Sequence, residues 1–145
     1  MKRIYLLFFV VLVLGCSGDS GERNPYLNEV SFNYSMNLNL PLYSPLTNTG
    51  SAIYVGYDGV GIAGIFVINS GFNIFVASEA SCPNHSTNDC STMTLDGQTA
   101  ICPCDDYEYS LFTGQMLNKP DDGNRYYDML IYNNTYSGNV VTVYN

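Results

Sequence analysis

Short runs of β-branched and aromatic residues, separated by turn residues, constrain the fold of this chain more than any other feature. Residues 29–40 (EVSFNYSMNLNL) alternate strictly between apolar and polar side chains, which predicts a half-buried strand that ends before Pro41. No segment has a sustained helical period with caps, so we expect a small all-β domain. Further strands are predicted at 52–57, 60–69, 73–78, 126–132 and 139–145, with turn signals at Asp58-Gly59, Asn69-Ser70-Gly71 and Ser137-Gly138.

The first residues have the pattern of a signal peptide. Lys2 and Arg3 precede the apolar run IYLLFFVVLVLG, which is too short to span a bilayer and has the length of a signal-peptide core. The run leads into Cys16 through Leu-Val-Leu-Gly, which resembles the bacterial lipobox, where the cysteine is acylated and the chain is cut before it. An ordinary secretory signal with a chance cysteine is the alternative.

On the lipobox interpretation, residues 1–15 are removed and Cys16 becomes a lipidated first residue that anchors the chain to a membrane. Residues 16–28 are then a tether of small, polar and acidic side chains, and residues 29–145 are the folded domain. We expect the protein in a bacterial cell envelope, periplasmic or exposed at the surface. Since no acidic residue stands directly after Cys16, analogy with lipoprotein sorting favours the outer membrane.

The charge of the chain argues against nucleic acid as a partner. Removal of Lys2 and Arg3 leaves three basic residues against thirteen acidic ones, a net charge of about −10 with the terminal amine acylated. A chain so acidic repels phosphate backbones and offers no basic stripe.

Four of the five cysteines lie between residues 82 and 104, together with the single histidine of the chain. Such clustering indicates metal binding or disulfides. The residues alone leave three disulfide connectivities open. They also leave open a zinc site, although the C-x-C spacing is unusual for zinc and Cys90 would remain unexplained. That zinc site would consist of Cys82, His85, Cys102 and Cys104.

Residues 81–115 (SCPNHSTNDCSTMTLDGQTAICPCDDYEYSLFTGQ) resemble the two-box region of Rieske [2Fe–2S] domains. The resemblance includes the interval between the boxes and the Ser-Leu-Phe-Thr-Gly segment after the second box, and it extends over about residues 29–145. It implies a small antiparallel β-sandwich of Rieske type with a cysteine-rich loop subdomain.

In that family, one iron takes a cysteine from each box and the other iron takes a histidine from each box. Carried over to this chain, Cys82 and Cys102 would hold one iron, and His85 and Asp105 would face the other. The resemblance also implies a disulfide that braces the cluster loops, formed by Cys90 and Cys104.

Two departures from the family pattern argue against a cluster. The first box is Cys-x-x-His where the family usually has Cys-x-His, so His85 is displaced by one residue. Asp105 offers a carboxylate, which suits hard cations better than an iron–sulfur core. The leader also lacks the twin arginines of family members that are exported with their cluster in place. Without iron, the resemblance implies a second disulfide, Cys82–Cys102.

These arguments predict a lipid-anchored, disulfide-stabilised binding or structural module that has no cofactor and is not an enzyme by itself. Its expected partners are the membrane, through the lipid, and a protein that the sequence does not identify. The alternative is an electron-transfer lipoprotein with a [2Fe–2S] cluster held by Cys82, His85, Cys102 and Asp105.

Three other patterns have simpler interpretations. Gly59, Gly61 and Gly64 match a dinucleotide fingerprint, but a further strand follows them where that motif needs a helix. The adjacent Asp105 and Asp106 are typical of a solvated turn, and no nucleophile elbow accompanies His85, so we predict no catalytic residues. A tyrosine-rich patch near the cysteine boxes is either a docking surface or ordinary sheet packing, and it consists of Tyr107, Tyr109, Tyr126 and Tyr127.

Overall fold

The computed structural model describes residues 23–145. The predicted signal peptide, Cys16 and the first part of the tether lie outside the described residues. Within residues 23–145, no helix is both long enough and apolar enough to cross a membrane. The described chain forms one 3-10 turn (Ser44–Thr47) and nine strands: β1 (Asn33–Asn37), β2 (Ala52–Val55), β3 (Ile65–Gly71), β4 (Ile74–Glu79), β5 (Thr94–Asp96), β6 (Thr99–Ile101), β7 (Glu108–Ser110), β8 (Ile131–Ser137) and β9 (Val140–Tyr144).

Six strands form one antiparallel sheet in the order β1-β9-β8-β4-β3-β2. The start of β8 pairs with β4, with Tyr132 opposite Ala77, whereas residues 133–137 pair with β9. Because β8 passes from one partner strand to the other, the sheet folds back on itself as two layers around a core. The predicted all-β, antiparallel sandwich is confirmed. Its core includes Met36, Leu46, Val55, Ile65, Val67, Ala77, Tyr132, Val141 and Val143.

Strand β3 is buried on both of its faces. Ile65 and Val67 point into the core of the sandwich, and the alternate residues Phe66 and Ile68 point the other way into a second apolar cluster. A smaller antiparallel sheet, in the order β5-β6-β7, covers this second cluster. The near-continuous apolar composition of β3 follows from this two-sided burial. The second cluster also contains Cys82 and Cys102, so the cysteine loops are built on the outer face of β3.

Three strand boundaries predicted from the sequence were wrong. The first strand covers residues 33–37 where 29–40 was predicted, and β3 begins at Ile65 where the prediction began at residue 60. The first strand of the last hairpin is displaced toward the C-terminus, since β8 starts at Ile131 and the predicted strand covered residues 126–132. Residues 62–63 and Tyr127 instead donate their backbone N–H groups to the side chains of Glu79 and Asn84.

The fully buried carboxylate of Glu79, at the end of β4, explains why β3 begins late. Its Oε2 atom accepts hydrogen bonds from the backbone N–H of Ile62 (2.7 Å) and from the hydroxyl of Tyr132 (2.5 Å). Its Oε1 atom accepts from the backbone N–H groups of Ala63 (2.9 Å) and Ser81 (2.8 Å). Burial and this hydrogen bond raise the pKa of Tyr132. A buried charge is tolerated only where such donors surround it.

The glycine-rich segment between β2 and β3 is shaped to reach this carboxylate. Gly61 has φ +68°, and a Cβ atom there would lie 2.8 Å from Oε2 of Glu79 and 2.6 Å from the carbonyl oxygen of Gly64. A strand follows these glycines, as predicted, so no helix N-terminus is present to bind a pyrophosphate. The backbone N–H groups of this segment do bind an anion, but the anion is the side chain of Glu79.

We expect Glu79→Gln to destabilise the protein by about 3 kcal/mol, because an amide nitrogen faces two donors and leaves them without an acceptor. Tyr132→Phe removes one donor and leaves the carboxylate in place, so we expect it to lower the free energy of unfolding by about 1.5 kcal/mol. Urea unfolding followed by circular dichroism measures both. Equal stability of Glu79→Gln and the wild type would contradict this account of the carboxylate.

Candidate metal and disulfide site

Each cysteine box begins shortly after the end of a strand, and the ends of these two strands bring the boxes together. Cys82 follows β4, and its backbone N–H donates to the carbonyl oxygen of Ser91 at 2.7 Å. Cys102 follows β6, and its N–H donates to the carbonyl oxygen of Tyr107 at 2.9 Å. Each box is therefore a closed loop, and the two loops lie against each other over the second apolar cluster.

Two disulfides link the boxes. Cys82 is bonded to Cys102 with the Cα atoms 5.6 Å apart, and both side chains are buried. Cys90 is bonded to Cys104 with the Cα atoms 5.4 Å apart, where Cys90 is exposed and Cys104 is half-buried. The structure thus has the same two pairings that the resemblance implies.

His85 lies directly against the inner disulfide. Its Nε2 atom is 3.3 Å from Sγ of Cys102 and 3.6 Å from Oδ2 of Asp105, and its Nδ1 atom is 2.9 Å from the carbonyl oxygen of Ser86. The exposed fractions of the side chains are 20% for His85 and 35% for Asp105, so both are reached by solvent. All four residues predicted as cluster ligands therefore come together at one place.

The tightest group of donor atoms differs from that predicted set in one member. One donor atom from each of Cys82, His85, Cys102 and Cys104 lies within 4.8 Å of the other three. Cys104 takes the place that the sequence assigned to Asp105. The group therefore offers three sulfur atoms and one imidazole nitrogen.

These donors do not fit a Rieske cluster. That cluster needs two imidazoles on one iron and two thiolates on the other, and this chain has one histidine. The two cysteines of the boxes are bonded to each other, and a sulfur atom in a disulfide is not a thiolate ligand. The side chain that faces His85 is a carboxylate, a donor that suits harder cations.

Asn84, within the first box, joins three segments of the chain, and this role was not predicted from the sequence. Its Nδ2 atom donates to the hydroxyl of Tyr109 (2.8 Å) and to the carbonyl oxygen of Tyr127 (2.9 Å), and its Oδ1 atom accepts from the N–H of Tyr127 (2.7 Å). This pair of backbone bonds holds residues 126–130 as a loop. No pattern in the sequence pointed to this role, because the partner residues are 25 and 43 positions away.

Asn88 organises the rest of the first loop. Its Oδ1 atom accepts from the backbone N–H of Cys90 at 2.9 Å, and its own N–H donates to Oγ of Ser91 at 2.7 Å. These bonds form a side-chain turn of the kind that asparagine and serine favour. The turn places Cys90 toward the second box.

The predicted tyrosine patch needs one correction. Tyr109 is fully buried under Asn84, because it lies on the inner face of β7 between the exposed Glu108 and the half-buried Ser110. Burial raises the pKa of Tyr109 to about 12, and the negative charge of Asp105 contributes in the same direction. The patch therefore has three tyrosines at the surface, all half-buried: Tyr107, Tyr126 and Tyr127.

Asp106 and Asp105 do not form a pair that could share a proton-transfer role. Asp106 has φ +59°, and its N–H donates to the carbonyl oxygen of Cys102 at 2.9 Å, which closes the turn of the second box. Asp105 faces His85, as described above. Both acids are exposed at this turn.

Comparison with known proteins gave no matching family model and no matching curated protein. Two solved structures are similar to this chain at 20% identity and a TM-score of 0.48. One is the cyanobacterial plasma membrane Rieske protein PetC3 from Synechocystis PCC 6803, where the match covers 63% of this chain and 84% of that chain. The other is from a complex of reduced oxygenase and oxidized ferredoxin in carbazole 1,9a-dioxygenase, where it covers 81% of this chain and 94% of that chain.

Proposed function

We propose that this chain is a lipid-anchored envelope protein with a Rieske-like domain that carries no iron–sulfur cluster and serves as a binding or structural module. One observation carries the proposal. Cys82 and Cys102, the two residues that would hold one iron, are bonded to each other. Their sulfur atoms are then committed to a covalent bond that links the same two loops a cluster would link.

The remaining ligand positions support the same conclusion. The carboxylate of Asp105 stands opposite His85, where a second imidazole would be required. Asn84, within the first box, is hydrogen-bonded to Tyr109 and Tyr127. These hydrogen bonds hold the first box against neighbouring segments.

An oxidising compartment is consistent with these bonds, because disulfides persist in the cell envelope and are rare in the cytosol. The predicted signal peptide and lipidated Cys16 would deliver the chain there. Asn24 donates from Nδ2 to the carbonyl oxygen of Pro83 at 2.8 Å, so the described end of the tether lies beside the first box. Asn24 is eight positions after Cys16, so a fully extended tether would keep Asn24, beside the first box, within about 28 Å of the lipid.

A partner would then meet the loops together with an aromatic surface. The ring of Tyr107 packs edge-on against Tyr126 with the centroids 5.6 Å apart, and the hydroxyl of Tyr126 donates to Oδ2 of Asp122 at 2.8 Å. The guanidinium of Arg125 lies 5.1 Å from the centroid of the Tyr127 ring. Rigid tyrosines of this kind are common at protein interfaces.

Iron and thiol contents test the proposal directly. The full chain, expressed with its own leader and purified from bacterial membranes in detergent, should contain no iron or acid-labile sulfide and no free thiol after denaturation. After reduction, four thiols should appear from residues 82–104. Stoichiometric iron with visible absorption and a reduced-state EPR signal would overturn the proposal and favour electron transfer.

Removal of either cysteine pair should destabilise the oxidised protein. The bonds close loops with sequence separations of 20 and 14, so Cys82→Ala/Cys102→Ala and Cys90→Ala/Cys104→Ala should each lower the free energy of unfolding by about 3 kcal/mol. The control is the same series in excess reductant, where each variant should come within about 1 kcal/mol of the reduced wild type. Oxidised variants as stable as the oxidised wild type would show that the pairs are not bonded in solution.

Cys16→Ser tests the anchor separately. The wild-type chain should incorporate radiolabelled palmitate and sediment with membranes, whereas Cys16→Ser should lose both properties because the acylated thiol is absent. Cys90→Ser is the matched control and should keep the label. A labelled Cys16→Ser chain, or an unlabelled wild type, would contradict the lipobox interpretation.

A further inference from the structure

The four donor atoms of Cys82, His85, Cys102 and Cys104 converge at the contact between the two boxes, within 4.8 Å of one another. Three thiolates and one imidazole are a common ligand set of structural zinc sites. We propose that the reduced form of this protein binds one Zn²⁺ through these four side chains. The inference goes beyond the proposed function, because it concerns the state in which both disulfides are open.

The distances require little movement of the loops. In a tetrahedral zinc site with Zn–S bonds of about 2.3 Å, the sulfur atoms lie about 3.8 Å apart. The donors are gathered closely enough that the main change is separation of the Cys82 and Cys102 sulfur atoms after their bond opens. The hydrogen bonds from the backbone N–H groups of these two cysteines do not involve sulfur, so they continue to hold both loops in the reduced protein.

The orientation of His85 suits a zinc ligand. Its Nδ1 atom lies 2.9 Å from the carbonyl oxygen of Ser86, an arrangement that favours a proton on Nδ1 and leaves the lone pair of Nε2 directed toward Cys102. Metal-bound histidines commonly donate their other ring N–H to a backbone carbonyl in this way. The contact between Nδ1 and the Ser86 carbonyl oxygen, which would orient the imidazole of a metal-bound His85, is therefore already present.

The donor set also selects the class of metal. Thiolate sulfur disfavours hard cations such as Mg²⁺ and Ca²⁺ and suits zinc. Asp105 and Cys90 are not members of this group of donor atoms: Oδ2 of Asp105 lies 3.6 Å from Nε2 of His85, and Cys90 is the exposed residue to which Cys104 is bonded. This composition distinguishes the site from the predicted cluster set, which included Asp105 and excluded Cys104.

Opening both disulfides is a four-electron reduction. A dithiol or phosphine reductant supplies two electrons to each disulfide, and uptake of two protons for each bond gives four thiols. Binding of Zn²⁺ displaces protons from the thiols of Cys82, Cys102 and Cys104, and Cys90 remains a free thiol. Disulfides and zinc compete for the same sulfur atoms, so bound zinc should slow reoxidation.

Cobalt(II) titration of the full chain in detergent, reduced with a phosphine without oxygen, tests the inference. One equivalent of Co²⁺ should produce the intense near-ultraviolet sulfur-to-cobalt absorption and the visible bands of tetrahedral coordination, and one equivalent of Zn²⁺ should remove them. Cys104→Ser and His85→Ala should each weaken binding at least tenfold. Their matched controls, Cys90→Ser and Asp105→Asn, should bind within twofold of the wild type.

Two results would overturn the inference: no stoichiometric cobalt spectrum, or equal effects of Cys90→Ser and Cys104→Ser. The second result would also appear if the reduced chain bound metal only as an unfolded polypeptide, and circular dichroism of the reduced protein identifies that case. Because this experiment uses the reduced protein and the iron and thiol measurements use the oxidised one, either proposal can fail while the other holds.

Discussion

The carboxylate of Glu79 joins the sandwich to the cysteine loops, and the rest of the structure is arranged around it. It lies at the end of β4, accepts a hydrogen bond from Ser81 directly before the first box, and accepts two more from the glycine-rich segment before β3. The hydroxyl of Tyr132 adds a bond from β8. One buried charge thus connects β4, β8 and the glycine-rich segment with the start of the site.

The loops that follow are fixed by covalent bonds and hydrogen bonds. The Cys82–Cys102 bond is buried over β3, and the Cys90–Cys104 bond lies nearer to solvent. Asn84 adds a connection from the first box to Tyr109 and Tyr127. Our proposal of a cluster-free module follows from this arrangement, because the loops have bonds of their own at the places where a cluster would join them.

The sequence predicted some elements well and others poorly, for identifiable reasons. β4 and β9 begin within one residue of the prediction, because turn residues adjoin their apolar runs. In β8, residues 133–137 (NNTYS) were missed because their pairing with β9 leaves their side chains exposed or half-buried, without an apolar pattern. The three-stranded sheet of the cysteine region was missed as well, since β5, β6 and β7 have three residues each.

By itself, the sequence determined the all-β class and the clustering of cysteines with the histidine, because alternation, turn residues and spacing are local properties of a chain. The antiparallel sandwich was predicted through the resemblance to Rieske domains. Tertiary structure alone decided that the Glu79 carboxylate binds the glycine-rich segment and that Asn84 is hydrogen-bonded to Tyr127. It also decided that Cys104, and not Asp105, joins the group of donor atoms. These outcomes depend on contacts between residues far apart in the chain, which only folding brings together.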